Sequence, residues 1–134
     1  MTHYIIAYLA TLVFFLVVDM AWLAGIAKKI YGRQLGSLMT RNIRWGAAGV
    51  FYALYILGAV IFAIRPAIEA QSLMTGLTLG ALYGFFCYMT YDLTNLATLK
   101  GWPEKLIWID IPWGTVLTGS AALFGTWVAL FFVG

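Results

Sequence analysis

Histidine and cysteine are almost absent from this chain of 134 residues, which contains only His3 and Cys87. Haem sites, zinc sites and Ser-His-Asp triads all need histidines or cysteines that the chain does not have. A glycine-rich phosphate-binding loop is missing as well. We therefore expect no cofactor, no metal and no enzyme that works through histidine or nucleotide binding.

Charged residues are also scarce, at 10% of the chain, whereas hydrophobic residues make up 63%. A soluble domain carries roughly 25% charged residues, and a chain this short has too little interior to bury so much apolar surface. The sequence therefore predicts a membrane protein. Membrane lipids are the expected partners, and the net charge of +3 does not indicate nucleic acid.

Four apolar stretches are long enough to cross a bilayer, which takes about 20 helical residues. They lack the alternation of apolar and polar residues that is typical of a membrane β-barrel. The predicted fold is all-α, with residues 1–134 forming one four-helix membrane domain. Pro66 is expected to end the second helix and Pro112 to kink the fourth. The predicted helices cover about residues 4–27, 45–64, 73–99 and 103–133.

Lysine and arginine are distributed unevenly among the connections between these helices. The connections 28–44 and 100–105 share one side of the membrane and hold seven basic residues, whereas the other side has only Arg65. By the positive-inside rule, both basic connections are cytoplasmic and both termini are non-cytoplasmic. The first connection is also expected to form a short surface helix, whose apolar face would contain Ile30, Leu35, Leu38 and Met39.

Three aspartates lie inside predicted membrane helices, where each costs at least ~2.5 kcal/mol near mid-bilayer. At 1.5 Å per residue from the basic connections, Asp19, Asp92 and Asp110 lie roughly 7–14 Å inside the cytoplasmic boundary. Their similar depth favours one polar cavity that opens to the cytoplasm. The alternative is that they are interhelical hydrogen-bonding groups, with Asp110 suited to the N-terminus of its helix.

Aromatic and polar residues accompany these acids. The segments Asp19-Met-Ala-Trp22 and Asp110-Ile-Pro-Trp113 repeat one spacing, and residues three apart share a helix face. Each indole is therefore expected beside the acid of its own helix. The third helix adds a polar stripe of Tyr88, Tyr91, Asn95 and Thr98. The candidate residues for binding a ligand or a proton are Asp19, Trp22, Tyr91, Asp92, Asn95, Thr98, Asp110 and Trp113.

Glycine recurs every four residues on the third helix, at Gly76, Gly80 and Gly84. Small residues at this spacing allow a neighbouring backbone to approach closely. Packing within the bundle is the favoured interpretation of this glycine stripe. The alternative is a homodimer interface, which would help a transport function because four helices enclose little volume.

Several segments resemble a known family. They are Asp19-x-x-Trp22-Leu23, Tyr31, Arg65-Pro66, the run from Tyr91 to Thr98, Gly101-Trp102-Pro103 and Asp110-x-x-Trp113-Gly114-Thr115. Together they resemble the bacterial family called domain of unknown function 2177. The resemblance covers nearly the whole chain and implies a small, multi-pass protein of the inner membrane. It implies no established activity.

The residues themselves favour a protein that binds or transports a small molecule or a cation in the polar cavity, with or without proton coupling. This is a non-enzymatic role, although an enzyme is not excluded. The first alternative is an enzyme, or an accessory subunit, that modifies membrane lipid with carboxylates as acid and base. The second is a structural or assembly protein without chemistry.

Overall fold

The computed structural model describes residues 2–35 and 44–133, which are helical apart from short connections. The first helix, α1 (Thr2–Trp22), continues through a π-helical turn into α2 (Lys28–Leu35). After residue 44, α3 (Trp45–Ala59) continues through a second π-helical turn, Val60–Ile64, into α4 (Arg65–Ala70). The last two helices are α5 (Leu73–Thr98) and α6 (Glu104–Val133).

Four helical stretches of the described chain are long and apolar enough to cross a membrane. This confirms the predicted all-α fold with four membrane helices. We refer to these stretches, in chain order, as the first to fourth spans: Thr2–Gly25, Trp45–Ala70, Leu73–Thr98 and Glu104–Phe132.

Two opposite faces of α1 show how the bundle is organised. Large apolar side chains at four-residue intervals, Ile5, Leu9, Val13 and Val17, are exposed. The buried face repeats at the same interval but consists of smaller or polar residues together with one aromatic residue. Lipid is as apolar as leucine, so membrane helices associate through close packing and polar contacts rather than through bulky apolar faces. The buried residues are Ala7, Thr11, Phe15 and Asp19.

The glycine stripe of α5 is buried against α6. A Cβ atom added at Gly80 would lie 2.5 Å from the Ala122 Cβ and 3.2 Å from the Gly119 Cα. Gly76 and Gly84 are equally buried on this face. The glycine stripe therefore serves packing within the bundle, which was the favoured interpretation. Because it is buried there, it is not available as a homodimer interface.

The prediction that the second helix ends at Pro66 is wrong. The helix runs on to Ala70 because Pro66 occupies the first turn of α4, where a missing N–H group costs little. It ends at Gln71, whose φ of 50° is left-handed. Ser72 then begins α5 by accepting a hydrogen bond from the Thr75 amide at 3.1 Å.

Two other expectations concern the kink at Pro112 and the surface helix in the first connection. Pro112 lies inside α6, which is helical on both sides of it. The first connection begins with a helix, α2, that continues directly from the first span. Of the apolar residues assigned to a surface helix, Leu38 and Met39 lie outside the described residues.

Candidate binding cavity

A cavity of about 910 Å³ lies among the spans. The helix α5 packs closely against the π-helical turn Val60–Ile64 and less closely against α3. The walls of the cavity come mainly from the second and third spans. Wall residues include Phe51, Tyr55, Phe62, Leu79, Leu82, Tyr83, Phe86 and Cys87.

Two aspartates, Asp19 and Asp110, line the cavity and lie close enough to interact electrostatically, whereas Asp92 does not line it. Most other lining residues are aromatic or aliphatic. The expectation of a polar cavity is therefore wrong for its walls, although carboxylates do line one part of it. The reason is that most of the wall residues are apolar or aromatic side chains of the second and third spans.

Asp19 is held by donors from two other spans. The Tyr52 hydroxyl of α3 donates to its Oδ2 at 2.8 Å, and the Trp113 indole of α6 donates to its Oδ1 at 3.4 Å. Only 8% of Asp19 is exposed. Two donors from neighbouring spans fix the position of this carboxyl group.

The two tryptophans of the repeated Asp-x-x-Trp spacing meet each other. The rings of Trp22 and Trp113 stack with their centroids 4.2 Å apart and their planes at 12°. Trp113 hydrogen-bonds Asp19 and not the acid of its own helix. The spacing on one helix did not predict this contact, because the hydrogen bond joins the fourth span to the first.

Asp92 and Asp110 form a separate carboxyl pair between α5 and α6. Their carboxyl groups are close enough to interact electrostatically and to share a proton. Asp92 is 0% exposed, and none of the described residues gives a donor to either of its oxygens. Such a contact is favourable only if a proton or a cation lies between the carboxyls. Since Asp110 also lines the cavity, it connects the pair with the cavity.

Only some residues of the polar stripe predicted on the third helix lie at the cavity. Tyr91 lines the cavity and contacts Asn95, and its ring meets Trp102 edge-on at 5.7 Å. Thr98 is exposed and donates to the Thr94 carbonyl of its own helix at 2.8 Å. Of the proposed site residues, those that line the cavity are Asp19, Trp22, Tyr91, Asp110 and Trp113. Asp92 and Asn95 do not line it but interact with Asp110 and Tyr91, and Thr98 lies apart from it.

A family model for a predicted membrane protein, DUF2177, matches residues 4–127. The chain belongs to this family. The match covers every residue that lines the cavity, and it bears out the resemblance seen in the sequence. No curated protein and no solved structure matches the chain.

Several tyrosines of the cavity were not among the candidate residues. Tyr83 lies over Gly58 and donates to the Tyr55 carbonyl at 3.0 Å. Tyr88 lies over Gly114 in the same way. In both cases a glycine on another span makes room for the ring. The sequence shows these glycines and tyrosines, but it carries no signal that pairs them.

Among the described residues, no group of three or more histidine, cysteine or acidic side chains is close enough to hold a metal ion. What the arrangement offers is a large apolar wall with two carboxyl groups in its lining. A carboxylate can accept hydrogen bonds from a hydroxyl group or pair with a cation. An apolar surface with a few oriented polar groups is typical of small-molecule sites.

Proposed function

We propose that this membrane protein binds an amphiphilic small molecule in the cavity. The apolar part of the ligand lies against the aromatic wall formed by the second and third spans. A cationic or hydroxyl group of the ligand lies at Asp19 and Asp110. The observation that carries the proposal is that one cavity contains both this wall and these two carboxylates.

We further propose that the polar end of the cavity faces the cytoplasm of a bacterial cell and that the protein lies in the inner membrane. The acids lie near the ends of the spans that adjoin the basic connections 28–44 and 100–105. Basic connections stay on the cytoplasmic side. The orientation of the cavity therefore follows from that of the connections.

Binding is proposed ahead of transport. A transport pathway must open to both sides of the membrane, and α5 packs against Val60–Ile64 at the far end of the cavity. A homodimer could extend the pathway, but it would need a surface other than the glycine stripe, which is buried against α6.

Cys87 provides a direct test because it is the single cysteine and lines the cavity. The protein in lipid nanodiscs would be treated with N-ethylmaleimide, and modification of Cys87 would be followed by mass spectrometry. Dodecylamine, dodecanol and dodecanoic acid serve as probes that share a chain length and differ in charge. We expect protection of Cys87 to be strongest with the amine and weakest with the acid.

The Asp19→Asn variant should reduce apparent affinity for dodecylamine about tenfold, which corresponds to ~1.4 kcal/mol. Glu69→Gln is the matched control because it also removes one negative charge, but from an exposed residue that pairs with Arg65. It should leave protection unchanged. Equal protection by all three probes, or none by any, would contradict the proposal.

A second candidate is an enzyme, or an accessory subunit, that modifies membrane lipid. The Asp92–Asp110 pair favours it, since adjoining carboxyls that share a proton can act as general acid and base. In a deletion strain, lipid changes that wild type reverses and Asp92→Asn does not would support this candidate. Full rescue by both Asp92→Asn and Asp19→Asn would instead support a structural or assembly role.

A further inference from the structure

The two buried aspartates, Asp19 and Asp92, differ in what surrounds their oxygens. Asp19 receives hydrogen bonds from Tyr52 and Trp113. Asp92 is 0% exposed and receives no donor from the described residues, while its carboxyl contacts that of Asp110. Two negative carboxylates in contact repel strongly where the dielectric constant is low. A single proton between them replaces this repulsion by a hydrogen bond.

We propose that Asp92 and Asp110 share one exchangeable proton, and that a cationic group bound in the cavity at Asp110 releases it. The second half of this inference rests on the proposed function, whereas the first half concerns the protein without ligand. Asp110 belongs both to the pair and to the cavity lining. The ligand and the proton therefore compete for the same carboxyl group.

A proton fits this pair better than a metal cation does. Calcium takes six to eight oxygen ligands, and magnesium requires a nearly octahedral set. The described residues contain no group of three or more histidine, cysteine or acidic side chains that could hold a metal. A proton needs only the two carboxyls, and it leaves a fully buried Asp92 without an unsatisfied charge.

The charged and titratable groups around the pair are consistent with one shared proton. Asp19 of the first span interacts electrostatically with Asp110, so it opposes a further negative charge there. Tyr91 of α5 lies near both members of the pair, and Tyr88 lies near Asp110. From α3, Tyr52 bonds Asp19 instead. The other charged side chains described on the neighbouring α2, Lys29 and Arg33, are exposed.

Infrared spectroscopy can detect the shared proton directly, because the chain has only five acidic side chains. The ligand-free protein in nanodiscs would be measured at neutral pH for the carbonyl band of a protonated carboxyl group. We expect the band in wild type and its loss in Asp92→Asn. Asp19→Asn and Glu69→Gln should retain it. In Asp110→Asn the band should move, because an amide replaces the carboxyl partner of Asp92.

A missing band in wild type, or a band unmoved in Asp110→Asn, overturns the shared proton. The coupling is tested by calorimetry of dodecylamine binding in two buffers with different heats of ionisation, where about one proton should be released per bound amine. Binding without release overturns the coupling. Failure of the amine to protect Cys87 would remove the proposed function but leave the ligand-free infrared result intact.

Discussion

The indole of Trp113 lies parallel to that of Trp22, with ring centroids 4.2 Å apart, while its N–H group points to Asp19. One side chain of the fourth span therefore contacts both the ring and the acid of the repeated Asp-x-x-Trp spacing on the first span. Tyr52 of the second span reaches the same carboxylate. Two other spans thus hold Asp19 in a fixed position, and such preorganisation is what a binding site requires.

The Tyr52→Phe variant tests the strength of this arrangement. It keeps the ring and removes the hydroxyl group that donates to Asp19 at 2.8 Å. We expect the free energy of unfolding to fall by about 1 kcal/mol, as for the stronger hydrogen bonds between membrane helices. Unfolding in mixed micelles, followed by circular dichroism, would measure the change.

A double-mutant cycle separates the loss of this hydrogen bond from a general effect of the substitution. In an Asp19→Asn background the cost of Tyr52→Phe should shrink, since the charged acceptor is gone. Tyr8→Phe is the control because Tyr8 donates to the backbone carbonyl of Ala53. Its cost should be the same in both backgrounds. Equal costs for Tyr52→Phe in both backgrounds would show that the Asp19 contact contributes nothing.

The partners of the site acids could be predicted only in part. The rarity of acids in apolar helices and their common depth singled out Asp19, Asp92 and Asp110, of which Asp19 and Asp110 line the cavity. Helix periodicity places Trp113 beside Asp110 on one face, but it cannot show which neighbouring helix that face meets. The rotation of each helix is set by packing with its neighbours. The pairing of Trp113 with Asp19 depends on that rotation.

Gly80→Leu tests the glycine stripe. A Cβ at this position would already lie 2.5 Å from the Ala122 Cβ and 3.0 Å from the Thr118 carbonyl. Overpacking a tight interface costs typically 1–3 kcal/mol, so the bundle should lose at least that much stability. Its oligomeric mass, measured by light scattering with detergent correction, should stay the same. A change in mass without loss of stability would contradict the packing role.

Gly46→Ala is the matched control for the stripe. Gly46 lies in α3, and a Cβ there would have no atom within 4 Å. Alanine is preferred over glycine in helices by about 1 kcal/mol. This variant should therefore be neutral or slightly stabilising in the same unfolding measurement.

The four-residue glycine spacing predicted close packing correctly, and long apolar runs predicted four helices correctly. The error at Pro66 has a local cause. A proline breaks the interior of a helix but suits its first turn, and the π-helical turn Val60–Ile64 places Pro66 in such a turn. The residues before Pro66 are ordinary apolar ones, so the sequence gives no sign of this turn.

The orientation of the spans is tested by cysteine accessibility in a Cys87→Ser background. The variants are Ser72→Cys and Glu104→Cys. Ser72 lies between the second and third spans, whereas Glu104 begins the fourth. Because the basic connections are predicted to be cytoplasmic, a membrane-impermeant maleimide should label Cys at 72 in intact cells. It should label Cys at 104 only after the membrane is opened. The reverse pattern would invert the cavity as well as the termini.

Gly58 leaves space on the second span for the side chain of Tyr83 in the cavity wall. A Cβ at Gly58 would collide with the hydroxyl end of Tyr83, which lines the cavity and contacts Cys87. Gly58→Ala should displace the Tyr83 ring and break its hydrogen bond to the Tyr55 carbonyl. Because the ring is the movable partner, the stability cost should stay near 1 kcal/mol.

The measurable consequence is at Cys87. Displacement of the ring should change its rate of modification by N-ethylmaleimide several-fold and weaken its protection by dodecylamine. Gly49→Ala, whose Cβ meets no atom within 4 Å, should change neither. Adding Tyr83→Phe to Gly58→Ala removes the colliding hydroxyl and should restore the wild-type rate. A Gly58→Ala protein that behaves like wild type in both measurements would show that Tyr83 does not form the wall beside Cys87.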